Sequence, residues 1–234
     1  MHSLQPVSRE QALAEIPDTP TTVEFRAIAL DPGSALYRSG DGLLLVDSQK
    51  RLVGAIGAVV SQDVDTLYQI GKLDCELLAD LAAYERLRIG RAFERAIIQT
   101  LPGPWRRPDC RIADLVIRPL DPSDPLDLLP HELRHEIDRE RQLEIVFAGF
   151  VDGTAVSFAY SSSCTEMFSD ISIDTLQEHR GRGLGAAVVS SLIDRIVEEG
   201  SAPVWGAVTG NRASRRLAEK LGFTHWAGEL FVSE

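Results

Sequence analysis

The second half of the chain alternates between short apolar runs and longer segments with one apolar stripe, which predicts strands alternating with helices. The clearest stripe starts at Leu184 and continues in steps of three and four residues through Leu192 to Ile196. Gly222 stands where a helix would end in a left-handed cap. The pattern predicts helices at 131–144, 184–199 and 212–221, and strands at 145–151, 155–160, 170–176, 204–209 and 226–232.

The first half of the chain has a less regular pattern. Residues 42–60 form two apolar runs around a polar turn, as in a β-hairpin. Apolar residues in 76–101 recur mostly at helical spacing up to the prolines of 102–104, which predicts one long helix, and 111–117 is predicted to be a strand. A second hairpin pattern at 151–157 resembles the first one. This similarity leaves open whether the first half is a degenerate copy of the second.

The segment 119–130 contains four prolines and three aspartates, which is the composition of an exposed connection. We therefore predict an N-terminal α/β region at 1–118 and a second domain at 119–234. The predicted fold class is α/β, an α+β arrangement around a mixed sheet.

Composition narrows the class of protein. The chain has 234 residues, 44% hydrophobic and 25% charged, which is enough for a buried core without disulfides. Its 35 acidic against 24 basic residues give a net charge of −11, which disfavours nucleic acid and anionic membranes as partners. We find no secretory signal and no apolar run near the roughly 18 residues of a membrane span. Three widely spaced cysteines, at 75, 110 and 164, favour a reduced, cytoplasmic protein.

The chemically informative segment is the glycine-rich turn at 180–186, between a predicted strand and a predicted helix. Glycines let the backbone approach a ligand closely, and the first amides of the helix are unpaired donors. Residues 180–220 also hold seven basic and four acidic side chains, in a chain that is acidic as a whole. The turn is therefore predicted to bind an anion such as a diphosphate, although glycines there could equally serve packing.

Two well-known phosphate loops do not match this turn. A P-loop requires a lysine and a hydroxyl residue after its glycines, and neither follows Gly185. A dinucleotide-binding fingerprint fits Gly181, Gly183 and Ala186 literally, but no ribose-binding acid follows the strand at 204–209. The residues that remain after the turn are also too few for a doubly wound domain.

A third pattern does fit. Arg180, Gly183 and Gly185, placed after a strand and before a helix, resemble the R/Q-x-x-G-x-G/A motif of the GNAT superfamily of acyl-CoA-dependent N-acetyltransferases. The segment 211–223, an Asn-opened helix that ends in Lys-Leu-Gly-Phe, is similar to the second signature of that family. The resemblance covers about 131–234. It implies the GNAT acyltransferase fold there and transfer of an acetyl group from acetyl-CoA to a small-molecule amine, by direct attack in a ternary complex.

The resemblance also implies which residues contact coenzyme A. The pantetheine arm would lie along the strand at 173–175, the diphosphate at the turn, and the cofactor arm would pass the helix that follows Asn211, which could also serve only as a helix cap. The implied cofactor-binding residues are Ile173, Asp174, Thr175, Arg180, Gly181, Arg182, Gly183, Leu184, Gly185, Ala186, Asn211 and Ser214.

The catalytic groups are less well defined by the sequence. Acetyl transfer needs a neutral amine and a proton for the leaving thiolate. The tyrosine that often supplies that proton in this family is replaced by Ala218, which leaves Ser214, a water or no acid. Asp170 and Glu166 are candidate bases, although alternation along the strand could also make Asp170 part of a solvated face. Further residues that we considered are Ser169 and His179 as bases and Cys164 as a nucleophile.

One motif points to different chemistry. His131, Glu132 and His135 match H-E-x-x-H, in which two histidines one helical turn apart bind zinc and the glutamate activates water. The glycine and third histidine of the longer zinc motif are absent, so we expect no metal site. A non-catalytic acyl-CoA-binding module is the other alternative, and the sequence leaves homodimer formation open.

Overall fold

The computed structural model describes residues 4–107 and 112–233 of the chain. Its helices are α1 (Arg9–Glu15), α2 (Val23–Leu30), α3 (Ser61–Gly71), α4 (Leu81–Leu87), α5 (His131–Leu143), α6 (Leu184–Glu198) and α7 (Arg212–Lys220). Its strands are β1 (Gln5–Pro6), β2 (Ala35–Ser39), β3 (Gly42–Val46), β4 (Leu52–Ile56), β5 (Glu76–Asp80), β6 (Glu94–Thr100), β7 (Leu115–Pro119), β8 (Phe147–Val151), β9 (Thr154–Cys164), β10 (Phe168–Thr175), β11 (Ala202–Val208) and β12 (Thr224–Ser233).

The chain forms two compact units. The first unit comprises Met1–Ile98, Gly206–Arg212 and His225–Glu234, and the second comprises Gln99–Trp205 and Ala213–Thr224. The units are defined by contacts between residues, whereas the domains at 1–118 and 119–234 are predicted from the composition of the sequence. The boundary between the two domains therefore stays a prediction.

In the first unit, neighbouring strands follow the order β1-β2-β3-β4-β5-β12. Strands β2, β3 and β4 pair antiparallel, and β4 pairs parallel with β5 through the crossover helix α3. Leu44, Val53 and Leu77 of these strands pack with Val64 and Leu67 of α3 in one buried cluster. On the other face, a Cβ at Gly54 would lie 2.9 Å from Phe25 Cδ1 of α2 and 3.4 Å from Leu45 Cδ1, so β3 is covered on both faces and wholly buried.

The predicted long helix at 76–101 is wrong, because the structure places β5, α4 and β6 there. Leu77, Leu78 and Ala79 are all buried, and a strand buried on both faces has no period-2 pattern that separates it from a helix. Asp80 then begins α4, since its side chain accepts a hydrogen bond from the N–H of Ala83 at 2.8 Å.

In the second unit, neighbouring strands follow the order β11-β10-β9-β8-β7. The antiparallel ladder from β7 to β10 has helices on opposite faces. Ile137 of α5 packs with Phe158 and Tyr160 of β9, and Leu184 of α6 packs with Val156 from the other side of that strand. Val156 would share the face of Phe158 and Tyr160 in a regular strand, and it reaches the α6 side because the β8–β9 register shifts at that position, where Gly149 pairs with Ser157 and Phe150 with Ala155.

The strands and helices predicted for the second half are confirmed with shifts of a few residues at their ends, β9 and β10 being longer than predicted. The predicted strand at 111–117 corresponds to β7, although residues 108–111 lie outside the described part of the chain. One expectation needs correction. The connection at 119–130 is not simply exposed, because Leu120, Leu126 and Leu129 are buried in the cluster that includes Ile137.

The order of elements repeats along the chain. A strand, a crossover helix, a parallel strand, a second helix and a further strand occur as β4-α3-β5-α4-β6 and again as β10-α6-β11-α7-β12. This order agrees with a first half that is a diverged copy of the second. No helix in the described residues is long and apolar enough to cross a membrane.

Candidate functional site

The glycine-rich turn lies between the end of β10 and the start of α6. A short 3-10 turn, Gln177–His179, leads into it, and Gly181 and Gly183 have φ angles of 73° and 85°. Both values are in the left-handed region that side chains disfavour. Gly183 is the N-cap residue of α6 and has no side chain that could cap the helix. Within the described part of the chain, the amides of the first turn of α6 thus have no side-chain acceptor at the cap.

The space around the turn differs between its glycines. Counting the described residues, a Cβ at Gly181 would have no atom within 4 Å, and one at Gly183 would meet Ile112 Cδ1 alone, at 3.6 Å. A Cβ at Gly185 would lie 3.4 Å from Leu217 Cδ2 and 3.5 Å from Thr175 Oγ1. Gly181 and Gly183 are therefore needed for their backbone conformation, whereas a Cβ at Gly185 would make ordinary van der Waals contacts with β10 and α7.

Two arginines add positive charge to the turn. The Nε of Arg180 donates to the carbonyl oxygen of Thr175 at 2.9 Å, which ties the turn to the end of β10. Arg182 Nη1 lies 3.1 Å from Nδ1 of His179. Arg180 and Arg182 are exposed, and α6 has no acidic residue in its first turn. Exposed cations beside a helix N-terminus favour a bound anion.

The edge of β10 next to the turn is open. The parallel ladder with β11 contains only three pairs, from Phe168↔Ala202 to Asp170↔Val204, and a register shift follows between Asp170 and Ile171 on the β9 side. No β10–β11 pair beyond these occurs in the described residues. Main-chain groups at 171–175 that face β11 are thus available to an extended ligand, as a free strand edge is.

The structure brings several predicted cofactor residues together and gives others separate partners. Ile173, Thr175, Gly185 and the turn form one region of the second unit. Ser214 Oγ accepts a hydrogen bond of 2.8 Å from Nε1 of the buried Trp205.

Asn211 belongs to the first unit. Its N–H donates to the carbonyl oxygen of Val208 at 3.0 Å, and Glu94 Oε1 accepts from the neighbouring Gly210 N–H at 2.6 Å. These bonds fix the backbone just before α7.

The catalytic candidates differ in accessibility. Asp170 is buried, and its Oδ2 accepts from Ser162 Oγ at 3.1 Å. Glu166 is exposed in the connection between β9 and β10. Ala218, at the position of the family's tyrosine, is fully buried. Desolvation, with neighbouring acidic groups, raises the pKa of Cys164, which disfavours a nucleophilic thiolate.

Sequence reasoning missed two residues on the α5 side of the sheet. The hydroxyl of Tyr160, on β9, donates to Oε1 of Glu136, on α5, at 2.5 Å. Nearby, desolvation is the main cause that raises the pKa of Asp174, and the charge of Glu136 adds to it. Glu136 lies in a strongly charged helix, and its direction could have been read only from its spacing, three residues after Leu133 and four before Glu140, both of which face the protein interior.

The two histidines of the H-E-x-x-H motif lie on one face of α5, as predicted from their spacing. Their Nε2 atoms are 3.0 Å apart, and both residues are exposed. Among the described residues, no group of three or more histidine, cysteine or acidic side chains is arranged to hold a metal ion.

Comparison with known proteins agrees with this geometry. The family model described as GNAT acetyltransferase matches residues 147–227. An uncharacterized N-acetyltransferase of Bacillus subtilis, YdfB, is 39% identical over 67 residues, which are 26% of this chain and 26% of that protein. The chain thus spans about a quarter of the length of this curated relative.

Solved structures are similar over nearly the whole chain. A GCN5-related N-acetyltransferase-like protein from Streptococcus suis has a TM-score of 0.65 at 20% identity and covers 96% of this chain and 98% of its own. A GCN5-related N-acetyltransferase from Kribbella flavida has a TM-score of 0.65 at 13% identity, with 97% and 95% covered. A tandem GNAT protein from the clavulanic acid biosynthesis pathway has a TM-score of 0.57 at 13% identity. The match covers 99% of this chain and 98% of that protein.

Residues 147–227 match the GNAT acetyltransferase family, and the mixed α/β architecture of the chain is the GNAT fold. The family resemblance and the fold class expected from the sequence are confirmed. The similarity to a tandem GNAT protein agrees with the repeated order of elements.

Proposed function

We propose that the protein is an N-acetyltransferase that moves an acetyl group from acetyl-CoA to the amine of a small molecule. The observation that carries this proposal is the turn at 181–183, which joins an uncapped helix N-terminus to two exposed arginines. The turn adjoins an open strand edge at 171–175. These features suit the two ends of one ligand, since a diphosphate fits the amides and an amide-bearing arm fits the strand edge.

The residues of this region fit coenzyme A in charge and space. Gly181 and Gly183 would leave room for the diphosphate, with Arg180 and Arg182 beside it. The main chain of Ile173 to Thr175 would pair with the pantetheine arm, and Asn211 and Ser214 remain proposed contacts near α7. Bound acetyl-CoA supplies the thioester that the amine attacks.

The protein has two tasks in the transfer. Strand amides near the break in the β10–β11 ladder would stabilise the carbonyl oxygen as it becomes anionic. Proton transfer must neutralise the amine and protonate the thiolate. Asp170 and Glu166 remain the sequence-based candidates for the base, and Ser214 for the acid. We also propose that the protein is cytoplasmic and that it binds neither nucleic acid nor membranes.

The experiment that tests the cofactor site compares two glycines of similar conformation. Gly183 and Gly200 have φ angles of 85° and 84° and lie at opposite ends of α6. Gly183→Asp places a negative side chain at the amides that would hold the diphosphate, so we expect coenzyme A affinity to fall by about 100-fold or more. Gly200→Asp introduces the same strain and charge away from the turn and should bind normally. Equal affinities for coenzyme A, measured by calorimetry, would contradict the proposed site.

A non-catalytic acyl-CoA-binding module is the second candidate function, because alanine stands at position 218. The two functions differ in one measurement. An enzyme releases free thiol from acetyl-CoA when a suitable amine is supplied, whereas a binding module shows tight coenzyme A binding and no thiol release with any amine.

A further inference from the structure

The sheet of the second unit has two faces, and the glycine turn belongs to one of them. A Cβ at Gly185 of α6 would lie 3.5 Å from Thr175 Oγ1 and 3.7 Å from Ile173 Cδ1, so these two side chains of β10 point toward α6. Side chains alternate along a strand, and no register shift is present from Ile171 to Thr175. Ser172 and Asp174 therefore point to the opposite face, which α5 covers.

The acceptor amine must reach the thioester from a side that the coenzyme leaves free. If the diphosphate lies at the N-terminus of α6, the α6 side of β10 is the side of the cofactor. The amine then approaches from the α5 side. The polar groups on that side are the ones that can bind an ammonium ion and remove its proton.

Tyr160 and Glu136 form a fixed pair on the α5 side. Tyr160 lies opposite Ser172 in the antiparallel ladder and is 1% exposed. Its hydroxyl donates to Glu136 Oε1 at 2.5 Å. Burial is the main cause that raises the pKa of Tyr160, and Glu136 raises it further. The phenol therefore stays a donor at neutral pH and holds the half-buried carboxylate in one orientation.

The surroundings of Glu136 suit a general base better than those of Asp170 and Glu166, the bases expected from the sequence. Asp174 is a second half-buried carboxyl on the same face, and its raised pKa reflects burial first and the charge of Glu136 second, with Arg180 acting in the opposite direction. Asp170 is buried at the last β10–β11 pair and already accepts a hydrogen bond from Ser162. Glu166 is exposed in a connection.

We infer that Glu136 is the carboxylate that takes the proton of the acceptor ammonium, with Tyr160 as the positioning residue that orients it. This inference rests on the proposed function. The ammonium gives one proton to Glu136, and the nitrogen lone pair forms the C–N bond to the thioester carbonyl carbon. The C–S bond breaks with its electron pair on sulfur, and the second nitrogen proton passes to the thiolate. Glu136 then releases its proton to water. The acceptor class is a primary amine that is cationic at neutral pH.

The test compares two carboxylates of α5. Glu136→Gln removes the proposed base, and Asp138→Asn is the matched control, since Asp138 is partly exposed and pairs with Arg141 in the same helix. Thiol release from acetyl-CoA is measured with primary amines from n-butylamine to spermidine, and coenzyme A binding by calorimetry. We expect Glu136→Gln to lower kcat by about 10²- to 10⁴-fold with unchanged coenzyme A affinity. Its rate should recover as the pH approaches the pKa of the free amine.

A second variant separates positioning from structure. Tyr160→Phe removes the donor that orients the carboxylate, so we expect it to lower kcat at unchanged coenzyme A affinity. In a Glu136→Gln background the same substitution should have little further effect on kcat, which a purely structural loss would not show. If Glu136→Gln does not fold, Glu136→Asp, which keeps a shortened carboxylate, should lower kcat and leave coenzyme A affinity unchanged.

Two results would overturn the inference and leave the proposed function intact. One is a Glu136→Gln enzyme as fast as Asp138→Asn, and the other is a loss of rate in Asp170→Asn alone. Wild-type protein that binds coenzyme A but releases no thiol with any amine would instead overturn the proposed function, and this inference with it.

Discussion

The crossovers that join β4 to β5 and β10 to β11 have the same topology and opposite charge. After β4, the N–H of Gly57 donates to both carboxylate oxygens of Asp80 at 3.1 Å. The N–H of Val60 donates to Ser39 Oγ, which in turn donates to the buried Asp63 at 2.8 Å. After β10, the corresponding turn has two exposed arginines, and neither α3 nor α6 has a side-chain hydrogen bond from its N-cap residue.

The difference teaches that topology alone does not make an anion site. In the first crossover, the donors near the helix N-terminus already have acceptors within the protein, and two of these are carboxylates that would repel a phosphate. In the second crossover, the first turn of α6 has no acidic residue, and Arg180 and Arg182 are exposed in the turn before it. We therefore expect coenzyme A to bind in the second unit and not at the turn after β4.

The largest expected effect on stability comes from removing the Asp80 carboxylate, which accepts hydrogen bonds from the N–H groups of Gly57 and Ala83. Asp80→Ala removes the cap of α4 and the acceptor of Gly57 together, so we expect the free energy of unfolding to fall by about 1–3 kcal/mol. Asp74→Ala, at an exposed position just before β5, is the control. Urea unfolding checks both variants, and an Asp80→Ala midpoint equal to that of the control would show that these bonds do not support the fold.

A smaller effect is expected from the charges of the second crossover. Arg180→Ala removes one cation beside the turn, and we expect coenzyme A to bind about tenfold more weakly, as for loss of one charge-assisted hydrogen bond. Arg195→Ala is the control, because Arg195 lies in the last turn of α6 and pairs with Glu199. Calorimetry at low and high salt checks the prediction, which fails if the two variants bind coenzyme A equally.

The pH dependence of stability offers a finer comparison. The folded protein raises the pKa of Asp174 above its ordinary value of 3.8, mainly through desolvation. A raised pKa means that the folded state binds the proton more tightly than the unfolded state, so this group favours folding less as pH rises. Asp174→Asn should therefore be at least as stable as wild type at pH 7, with the advantage lost as pH falls below about 3.8. Unfolding measured from pH 3 to 8 would refute this if the difference grew on acidification.

The smallest effect is expected at Gly185. An added Cβ would make only ordinary van der Waals contacts with Leu217 and Thr175. Gly185→Ala should therefore change coenzyme A affinity by no more than about twofold, whereas Gly185→Leu should disturb the packing of α6 on β10. A large loss in the alanine variant would mean that the ligand itself approaches this position.

How far the sequence predicts this molecule depends on how local each signal is. The turn at 180–186 was predictable because its glycines, its arginines and the helix that follows are contiguous. The β5-α4-β6 region was not, because Leu77 to Ala79 are buried on both faces and carry no period. The Tyr160–Glu136 pair joins residues 24 positions apart in sequence, and nothing local to either residue indicates that contact.

The position of β12 has a consequence for how the protein folds during synthesis. Leu230 to Ser233 pair antiparallel with Leu77 to Asp80, so the neighbour of β5 is made more than a hundred residues after β5 itself. Until residues 230–233 have been synthesised, that edge of β5 has no neighbouring strand. A nascent chain arrested before residue 230 should therefore need protection by a chaperone that a released chain does not need.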